Sequence, residues 1–283
     1  MSRSLHNARP RDAGAANRLA AIMRRMSLDT FLLVLCAVLG LVLGSAISAL
    51  SWRMARRESW VRGRSRCTDC GHELGALDLV PVLSWLAHRG RCRHCGARVS
   101  VRYPLTELAC AAWLMLVLRH DGLTLRAGLV ALWGLMLVTL TFIDFMIQEL
   151  PDALTLPGTL IALTAALLGP GARHALLGVA LGAGLLWLIA ETYLRVRKVE
   201  GMGFGDVKLA AMFGALLGPG ATLLTLFLAA LAGSVWGVSL MARGRGTGQT
   251  ALPFGTLLAP AAMVAYLWGD HWIARYLSLV FPG

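Results

Sequence analysis

Two aspartates lie beside apolar segments in which acidic residues are scarce. Asp144 stands late in the stretch LVTLTFIDFMIQELPD, and Asp206 opens an apolar run directly after the glycine-rich loop EGMGFG. An ionised carboxylate at the middle of a bilayer costs at least roughly 2.5–3.5 kcal/mol, so each one needs a reason to be there. Two neighbouring carboxylates cannot both ionise cheaply. One can then act as a general base toward water and the other as a general acid toward a peptide carbonyl.

Each aspartate near an apolar span also has a structural interpretation, as a helix cap or as a group in headgroup water. For Asp152, which follows Pro151 at an expected helix start, we favour the cap. Position alone leaves both interpretations open for Asp206. The cap is less favoured for Asp144, because it comes late in its span. The residues alone therefore leave a catalytic pair and a structural role as alternatives.

The glycines before Asp206 indicate a loop that can approach another backbone. Without side chains, Gly203 and Gly205 would let a substrate chain pass close to Asp206 and let the loop bend into position, so we assign both to substrate binding. Two further acids, Glu107 and Glu191, lie near span ends, and we expect an interfacial role for both.

Four cysteines form a second constellation. The pairs CTDC and CRHC are each followed by glycine and are separated by 21 residues; their members are Cys67, Cys70, Cys92 and Cys95. Two such turns offer four thiolates, the tetrahedral set of structural zinc. The alternative is two redox or disulfide pairs, which a reducing cytoplasm disfavours. The three nearby histidines are expected to be solvated: His72, His88 and His94. The unpaired Cys36 and Cys110 are expected to serve packing.

The composition is that of an integral membrane protein. Of the 283 residues, 57% are hydrophobic and 15% charged, with a mean hydropathy of +0.65. A soluble domain carries about 25% charged residues. The net charge of +12 is almost all arginine. In a membrane protein it indicates topology and contact with anionic lipid headgroups, and it does not point to nucleic acid.

The chain divides into four regions. We expect a polar, Arg-rich and disordered tail over 1–27, a retained transmembrane helix over 28–50, a zinc-binding insert over 51–102 and a transmembrane core over 103–283. The core has seven apolar spans, making eight with the first; they cover 103–118, 123–147, 154–168, 172–193, 207–217, 221–241 and 254–277. Gly- and Pro-rich breaks at 169–173 and 218–222 predict tight hairpins. The fold class is thus an all-α polytopic membrane protein with a small insert.

The charge distribution orients these spans. The insert carries eleven arginines, and with eight spans it shares a side with the loops near 148–153, 194–206 and 242–253. The positive-inside rule makes that side cytoplasmic, which brings Asp144 and Asp206 to the same cytoplasmic edge. The six arginines of the N-terminal tail oppose this assignment. Translation from Met23 or Met26 would remove most of them.

The order of these motifs resembles the prepilin leader peptidases of type IV pilus and type II secretion systems, aspartic membrane proteases with a GxGD motif. The resemblance runs from about Gly44 to the C-terminus and rests on the two CxxC pairs, RYPLTELA, IDFMIQELPDALTLP, EGMGFGDVKLAA and PFG. It implies catalytic roles for Asp144 and Asp206. It also implies cleavage of the basic leader of prepilins or pseudopilins after a glycine, at the cytoplasmic face of the bacterial inner membrane. S-adenosylmethionine-dependent methylation of the new N-terminal amine can follow.

The chain departs from the pattern of that family in three places. Ser48 stands where the pattern has asparagine, PFGT replaces PFGP, and Gln148 and Glu149 replace apolar residues. The linker from Trp60 to Cys67 is also short. Because the methyltransferase activity is associated with the insert and its flanks, we expect methylation to be weak or missing.

Two other classes of function compete with the protease. A transporter or channel could use the aspartates as an ion or proton relay, but a relay favours acids near the bilayer centre and repeated halves. A zinc-stabilised scaffold would leave the glycine-rich loop without a purpose. The aspartic endopeptidase is therefore the preferred hypothesis.

Overall fold

The computed structural model describes residues 10–59, 64–199, 201–245 and 252–281, with only the backbone given for 10–27. This part of the chain is all-helical. The helices are α1 (Pro10–Ala55), α2 (Leu83–Ala87), α3 (Arg102–Asp121), α4 (Leu125–Ile147), α5 (Asp152–Leu167), α6 (Ala172–Arg197), α7 (Phe204–Ala242) and α8 (Gly255–Val280), with a 3₁₀ turn over Ala76–Leu79.

Four of the described helical segments are long and apolar enough to cross a bilayer: Leu28–Ala55, Leu125–Ile147, Ala172–Arg197 and Phe204–Ala242. The predicted all-helical membrane fold is thereby confirmed. Each of the eight expected spans overlaps one of the helices, and two of them share α7. The number of crossings stays a prediction.

Helix α7 contains the hairpin that the sequence predicts. Gly218 has φ 67° and ψ −174°, which is not helical, and Pro219 follows it. On α6, a Cβ placed on Gly182 would lie 2.9 Å from both the Ala210 carbonyl oxygen and the Thr222 side chain. Those two residues lie on either side of Gly218, so the chain reverses there. The first half of α7 (204–217) spans about 21 Å at the helical rise, less than a full bilayer.

The N-terminal tail is not disordered over its described part. Helix α1 begins at Pro10 and continues without a break into the apolar segment. Proline suits the first position of a helix, and the alanines and arginines that follow are strong helix formers. The polarity of the tail predicts disorder, whereas its helix propensity favours the helix that is observed. Residues 1–9 lie outside the described part.

The end of α4 fixes the position of Asp144. Thr124 caps the start of this helix by accepting a hydrogen bond from the Ala127 amide at 3.0 Å. At the other end Gln148 adopts a left-handed conformation, with φ 54°, and its amide bonds to the Asp144 carbonyl at 2.8 Å. Asp144 therefore sits in the last turn, where the backbone is about to leave the helix.

The first half of α7 is the centre of the core. Its side chains from Leu209 to Phe213 are mostly fully buried. On one side the indole of Trp133 donates to the Met212 carbonyl at 3.3 Å, and on another Gly178 of α6 meets the backbone of Gly214. Close backbone approach through small residues is how membrane helices associate, because lipid tails offer no hydrophobic incentive. Asp206 thus opens the most tightly packed helix of the protein.

Glu107 connects the insert to the core. Its side chain accepts a hydrogen bond from the Val82 amide at 2.7 Å, and only 6% of the residue is exposed. The interfacial role that we expected for Glu107 is therefore wrong, because α1 and the insert cover it. Glu191 does lie at the surface and pairs with Arg195 at 2.7 Å.

Candidate active site and metal centre

Asp144 is buried and anchored through one carboxylate oxygen. Only 4% of the residue is exposed. Its Oδ2 accepts hydrogen bonds from the Thr256 amide at 2.6 Å and from the Thr256 hydroxyl at 2.8 Å. The neighbouring Gly255 makes this approach feasible, because a Cβ there would lie 3.0 Å from the Asp144 carboxyl carbon. The start of α8 therefore holds the carboxylate of α4.

Asp206 comes to the same place from a distant part of the chain. It is the third residue of α7 and is 9% exposed. A Cβ on the preceding Gly205 would lie 3.0 Å from the Leu150 side chain, and one on Gly255, which borders the Asp144 carboxyl group, would lie 3.1 Å from the same side chain, so Leu150 packs beside both aspartates. The structure thus brings together the two aspartates that the sequence singled out, and it keeps both away from bulk solvent. Two charges in so poorly solvated a site repel strongly, which favours one shared proton.

The glycines of the loop before Asp206 serve packing as well as access. None of Gly201, Gly203 and Gly205 has a positive φ. A Cβ on Gly205 would lie 3.0 Å from the Leu150 side chain, and one on Gly201 would overlap the ring of Tyr193. Around Gly203 a Cβ would meet nothing closer than 4.0 Å. Backbone flexibility therefore does not explain Gly201 or Gly205, where the missing side chain allows close packing. Of the three glycines, only Gly203 has open space around the position of a Cβ.

Sequence reasoning missed the ion pair next to this loop. Asp152 is the first residue of α5, but Pro151 is the cap residue and no side chain caps this helix, so the expected capping role is not observed. The Asp152 carboxylate instead accepts a 2.6 Å hydrogen bond from Lys208 of α7. Sequence reasoning also missed the role of Thr256. The threonine in PFGT was visible as an unusual residue. Its contact with Asp144 joins residues 112 positions apart, and no local pattern indicates that.

A cavity of about 520 Å³ opens beside Asp144 at the edge of the core. Its walls come from the end of α1 and from the connection between α4 and α5; they include Met54, Arg57, Glu58, Ser59, Ile143, Ile147, Glu149, Leu150 and Pro151. Two of its charged groups face each other, since Arg57 lies 3.8 Å from Glu149. This volume is in the range of ligand sites. Neither aspartate lines the cavity, although Ile143, the residue before Asp144, does.

The four paired cysteines form one cluster. The sulfur atoms of Cys67, Cys70, Cys92 and Cys95 all lie within 4.8 Å of one another, and none of the four is in a disulfide. Cys67 Sγ and Cys95 Sγ, from different pairs, are 3.9 Å apart. Zinc–sulfur bonds of about 2.3 Å in a tetrahedron would place sulfurs about 3.8 Å apart. The cluster therefore fits a tetrahedral metal, and the disulfide alternative is not favoured.

The two halves of this cluster repeat one backbone design. In each, the glycine after the second cysteine has a positive φ, 71° at Gly71 and 72° at Gly96, as the predicted tight turns require. An isolated β-bridge closes each turn, between Arg66 and Glu73 and between Arg91 and Arg98. In the second turn the backbone amides of Cys95 and His94 lower the pKa of the Cys92 thiol to about 7. A thiolate is then available near neutral pH.

Of the three histidines that we expected to be solvated, two are in contact. The rings of His72 and His94 stack with centroids 3.5 Å apart, while both residues remain exposed. His88 is half-buried, and its Nδ1 lies 2.8 Å from the Ser84 carbonyl oxygen. The stack joins the two cysteine turns from outside the sulfur cluster.

Two family models match consecutive parts of the chain. Residues 38–120 match the Bacterial Peptidase A24 N-terminal domain, and residues 129–238 match the Type IV leader peptidase family. The cysteine cluster falls in the first match and both aspartates in the second. No solved structure matches the chain.

Curated relatives match nearly the full length. A prepilin leader peptidase/N-methyltransferase of Pseudomonas putida is 36% identical over 90% of this chain and 99% of its own. Proteins with the same name from Stutzerimonas stutzeri and Aeromonas salmonicida are 36% and 40% identical, over 87% and 77% of this chain and 94% and 75% of their own. Because relatives this similar extend over the cysteine cluster and both aspartates alike, the chain belongs to the type IV leader peptidase family.

Proposed function

We propose that the protein is a membrane aspartic endopeptidase that cleaves the leader of prepilins or pseudopilins after a glycine. Its membership of a peptidase family and the names of its relatives support the reaction class. The single observation that supports the site assignment is that Asp144 and Asp206, from distant parts of the chain, are both buried and both lie beside Leu150 at the edge of the core.

In the proposed mechanism the two aspartates share one proton and act on one water molecule. The ionised carboxylate takes a proton from the water, whose oxygen bonds to the carbonyl carbon of the scissile peptide. The protonated carboxyl gives its proton to the carbonyl oxygen. The resulting diol then collapses: the carboxyl that took the water proton gives it to the nitrogen, the carbon–nitrogen bond breaks to release the new amine, and one diol hydroxyl gives its proton to the other carboxylate. The carboxyl pair ends with one proton, as it began.

The position of the pair suits a substrate that is itself anchored in the membrane. Asp144 ends α4 and Asp206 begins α7, so both lie near the membrane surface on the side of the insert. The eleven arginines of the insert and the positive-inside rule support a cytoplasmic position for that side, at the inner membrane of a bacterium. The open space at Gly203 and the cavity beside Asp144 can admit an extended peptide from the same side.

We assign zinc to the four-cysteine cluster. The sulfur spacing suits a closed tetrahedral site, which leaves no position for a substrate or water. A metal there stabilises an insert that has one 3₁₀ turn and one short helix between Ala55 and Arg102. Its role is therefore structural, and the hydrolytic step does not pass through it.

N-methylation is a second candidate activity, favoured by the names of the relatives. S-adenosylmethionine would supply a methyl group to the amine released by cleavage. In the cavity Arg57 pairs with Glu149 at 3.8 Å and Glu58 with Arg66 at 3.9 Å, and exposed pairs of this kind are too weak to exclude the amino acid part of that molecule. Residues 60–63 of the linker lie outside the described part. Mass spectrometry of the processed N-terminus tests our expectation of weak methylation, which full methylation would contradict.

The protease assignment is tested with the purified full chain in lipid vesicles and a synthetic prepilin. We expect cleavage after the glycine at the end of the leader, detected as a shorter product by mass spectrometry. A matched prepilin with that glycine replaced by a bulky residue should stay intact. If the natural substrate stays intact and the same vesicles show an ion flux, the transporter hypothesis would be supported instead.

A further inference from the structure

We propose that Thr256 is a positioning residue that keeps Asp144 as the ionised member of the pair, so that Asp144 is the base and Asp206 the acid. This assignment of base and acid rests on the proposed protease function. It is more specific than a shared proton, because it assigns each step of the reaction to one carboxyl group.

The first observation is that Thr256 gives Asp144 two hydrogen bonds on one oxygen. The amide lies 2.6 Å and the hydroxyl 2.8 Å from Oδ2. The hydroxyl has one proton, and its other acceptor, the Thr141 carbonyl oxygen, is more distant at 3.4 Å. The proton therefore goes to Asp144. Hydrogen bonds donated to a carboxyl group stabilise its ionised form, because a charged oxygen accepts a stronger hydrogen bond than a neutral one.

The second observation is that Asp144 caps α8. Thr256 is the second residue of this helix, and the cap residue Phe254 offers no side-chain acceptor. The first amides of a helix have no partner within it, and the positive end of the helix dipole lies there. Asp144 satisfies one of these amides from another helix. An ionised carboxylate is the form that suits this position.

Asp206 has a different environment. Among the described residues, no hydrogen-bond donor reaches its carboxylate, although it is equally buried. It lies in the first turn of α7, and this helix dipole also favours a negative charge. Such a dipole is worth less than two direct hydrogen bonds to a charged group. When one proton is shared, it therefore resides on Asp206.

Other charged groups nearby do not alter this assignment. Arg102 of α3 reaches the sulfur of Met146, on the turn after Asp144. Arg57 and Glu149 pair with each other, and Lys208 pairs with Asp152. Among the described residues, neither Asp144 nor Asp206 takes part in an ion pair, so no basic side chain offsets the charge of either one.

The test is the pH dependence of kcat/KM for cleavage of a synthetic prepilin by three variants of Thr256. Thr256→Val keeps the shape and removes the hydroxyl donor, Thr256→Pro removes both donors, and Thr256→Ser keeps both. Proline is tolerated in the first turn of a helix. With fewer donors the base accepts a proton more readily, so the acid limb of the profile should move to higher pH. We expect about one pH unit for Val, more for Pro and no shift for Ser.

The matched control is Thr139→Val on α4. It removes the hydroxyl of another buried threonine, which bonds to the Leu135 carbonyl at 2.8 Å, and it should leave the acid limb in place. A merely structural Thr256 would lower the rate equally at every pH, and an unmoved limb in both Val and Pro variants would overturn the proposal. If the Val variant fails to fold, the Pro variant decides. Failure of the protease function looks different, because the unmodified protein would then not cleave.

Discussion

The carboxyl groups of Asp144 and Asp206 occupy the ends of helices, where a peptide from the membrane surface can reach them, and yet they are 4% and 9% exposed. The residues around them explain this combination. Gly205 and Gly255 let Leu150 pack closely against both helix starts. Leu150 thus covers the pair from the side of the α4–α5 connection. Poor solvation strengthens the interaction between the two charges and makes the pair depend on a single proton.

The first prediction is that Asp144→Asn and Asp206→Asn each abolish cleavage of a prepilin. Asparagine keeps the shape of aspartate and cannot exchange the proton, so we expect a loss of at least about 10²-fold in kcat. The double variant should be no slower than either single one, because the two groups act as a unit. Rates are measured with variants whose zinc content and membrane insertion match the unmodified protein. An Asp206→Asn protein that cleaves at a near-normal rate would refute the assignment.

The second prediction separates Asp152 from the catalytic pair. Asp152 and Lys208 form an ion pair at 2.6 Å, with 56% and 30% of their side chains exposed. Exposed pairs contribute about 0–1 kcal/mol, so Asp152→Asn should retain cleavage within about a factor of five. The assay is the same one, with Asp206→Asn as the inactive reference. Complete loss of activity in Asp152→Asn would mean that Asp152 takes part in the chemistry.

At the scale of elements, the position of Asp206 depends on how closely α6 and α7 approach. Gly178 and Gly214 let the two backbones touch, and a Cβ on either residue would overlap the carbonyl group of the other. The buried first half of α7 then has no room to shift. The direction of Asp206 is set by this packing more than by its own loop.

The third prediction therefore concerns Gly214→Ala. The added methyl group meets backbone, which cannot rotate away, so the free energy of unfolding should fall by about 1–3 kcal/mol. Gly184→Ala on α6 is the matched control, because nothing lies within 4 Å of the added Cβ. Thermal unfolding in the same detergent compares the two. If both variants melt at the same temperature, the close contact at Gly214 does not lower the free energy of unfolding as predicted.

At the scale of the whole molecule, the metal-binding insert and the membrane core are joined through the ends of α1 and α3. The Val82 amide bonds to the buried Glu107, and Arg102 packs its guanidinium 4.8 Å from the ring centroid of Trp52. The cavity beside Asp144 lies partly under the end of α1. Folding of the insert and the shape of this cavity are therefore coupled.

The fourth prediction is one zinc ion per chain, lost in Cys92→Ser and retained in Cys36→Ser. Cys36 is outside the sulfur cluster and serves as the control. Zinc binds thiolates, and the pKa of Cys92 is about 7, so protons compete increasingly as the pH falls below neutral. Occupancy should drop on acidification and the melting temperature with it. Elemental analysis that finds no zinc in protein purified without chelator would contradict the prediction.

The sequence by itself determined the features that depend on neighbouring residues. Long uncharged runs are typical of membrane helices, and except at the start of α1 the expected spans agree with the helices to within a few residues. A glycine after each CxxC pair predicted a tight turn, and Gly71 and Gly96 have the positive φ that such a turn uses. The Gly-Pro pair at 218–219 predicted the reversal within α7. The two aspartates were identifiable because ionisable groups are costly near a bilayer.

Only the tertiary structure decided which helix ends meet. Hydropathy shows how apolar a helix is, but it does not show which face of the helix contacts which neighbouring helix. In lipid, the helices that pair are those whose small residues allow close packing. Thr256 therefore could not be linked to Asp144 from the sequence, nor Lys208 to Asp152, nor Val82 to Glu107. Each of these bonds joins segments that are distant in the chain. The first two form because the end of α4 and the starts of α5, α7 and α8 meet at the same edge of the core, and the third forms where the insert packs on α3.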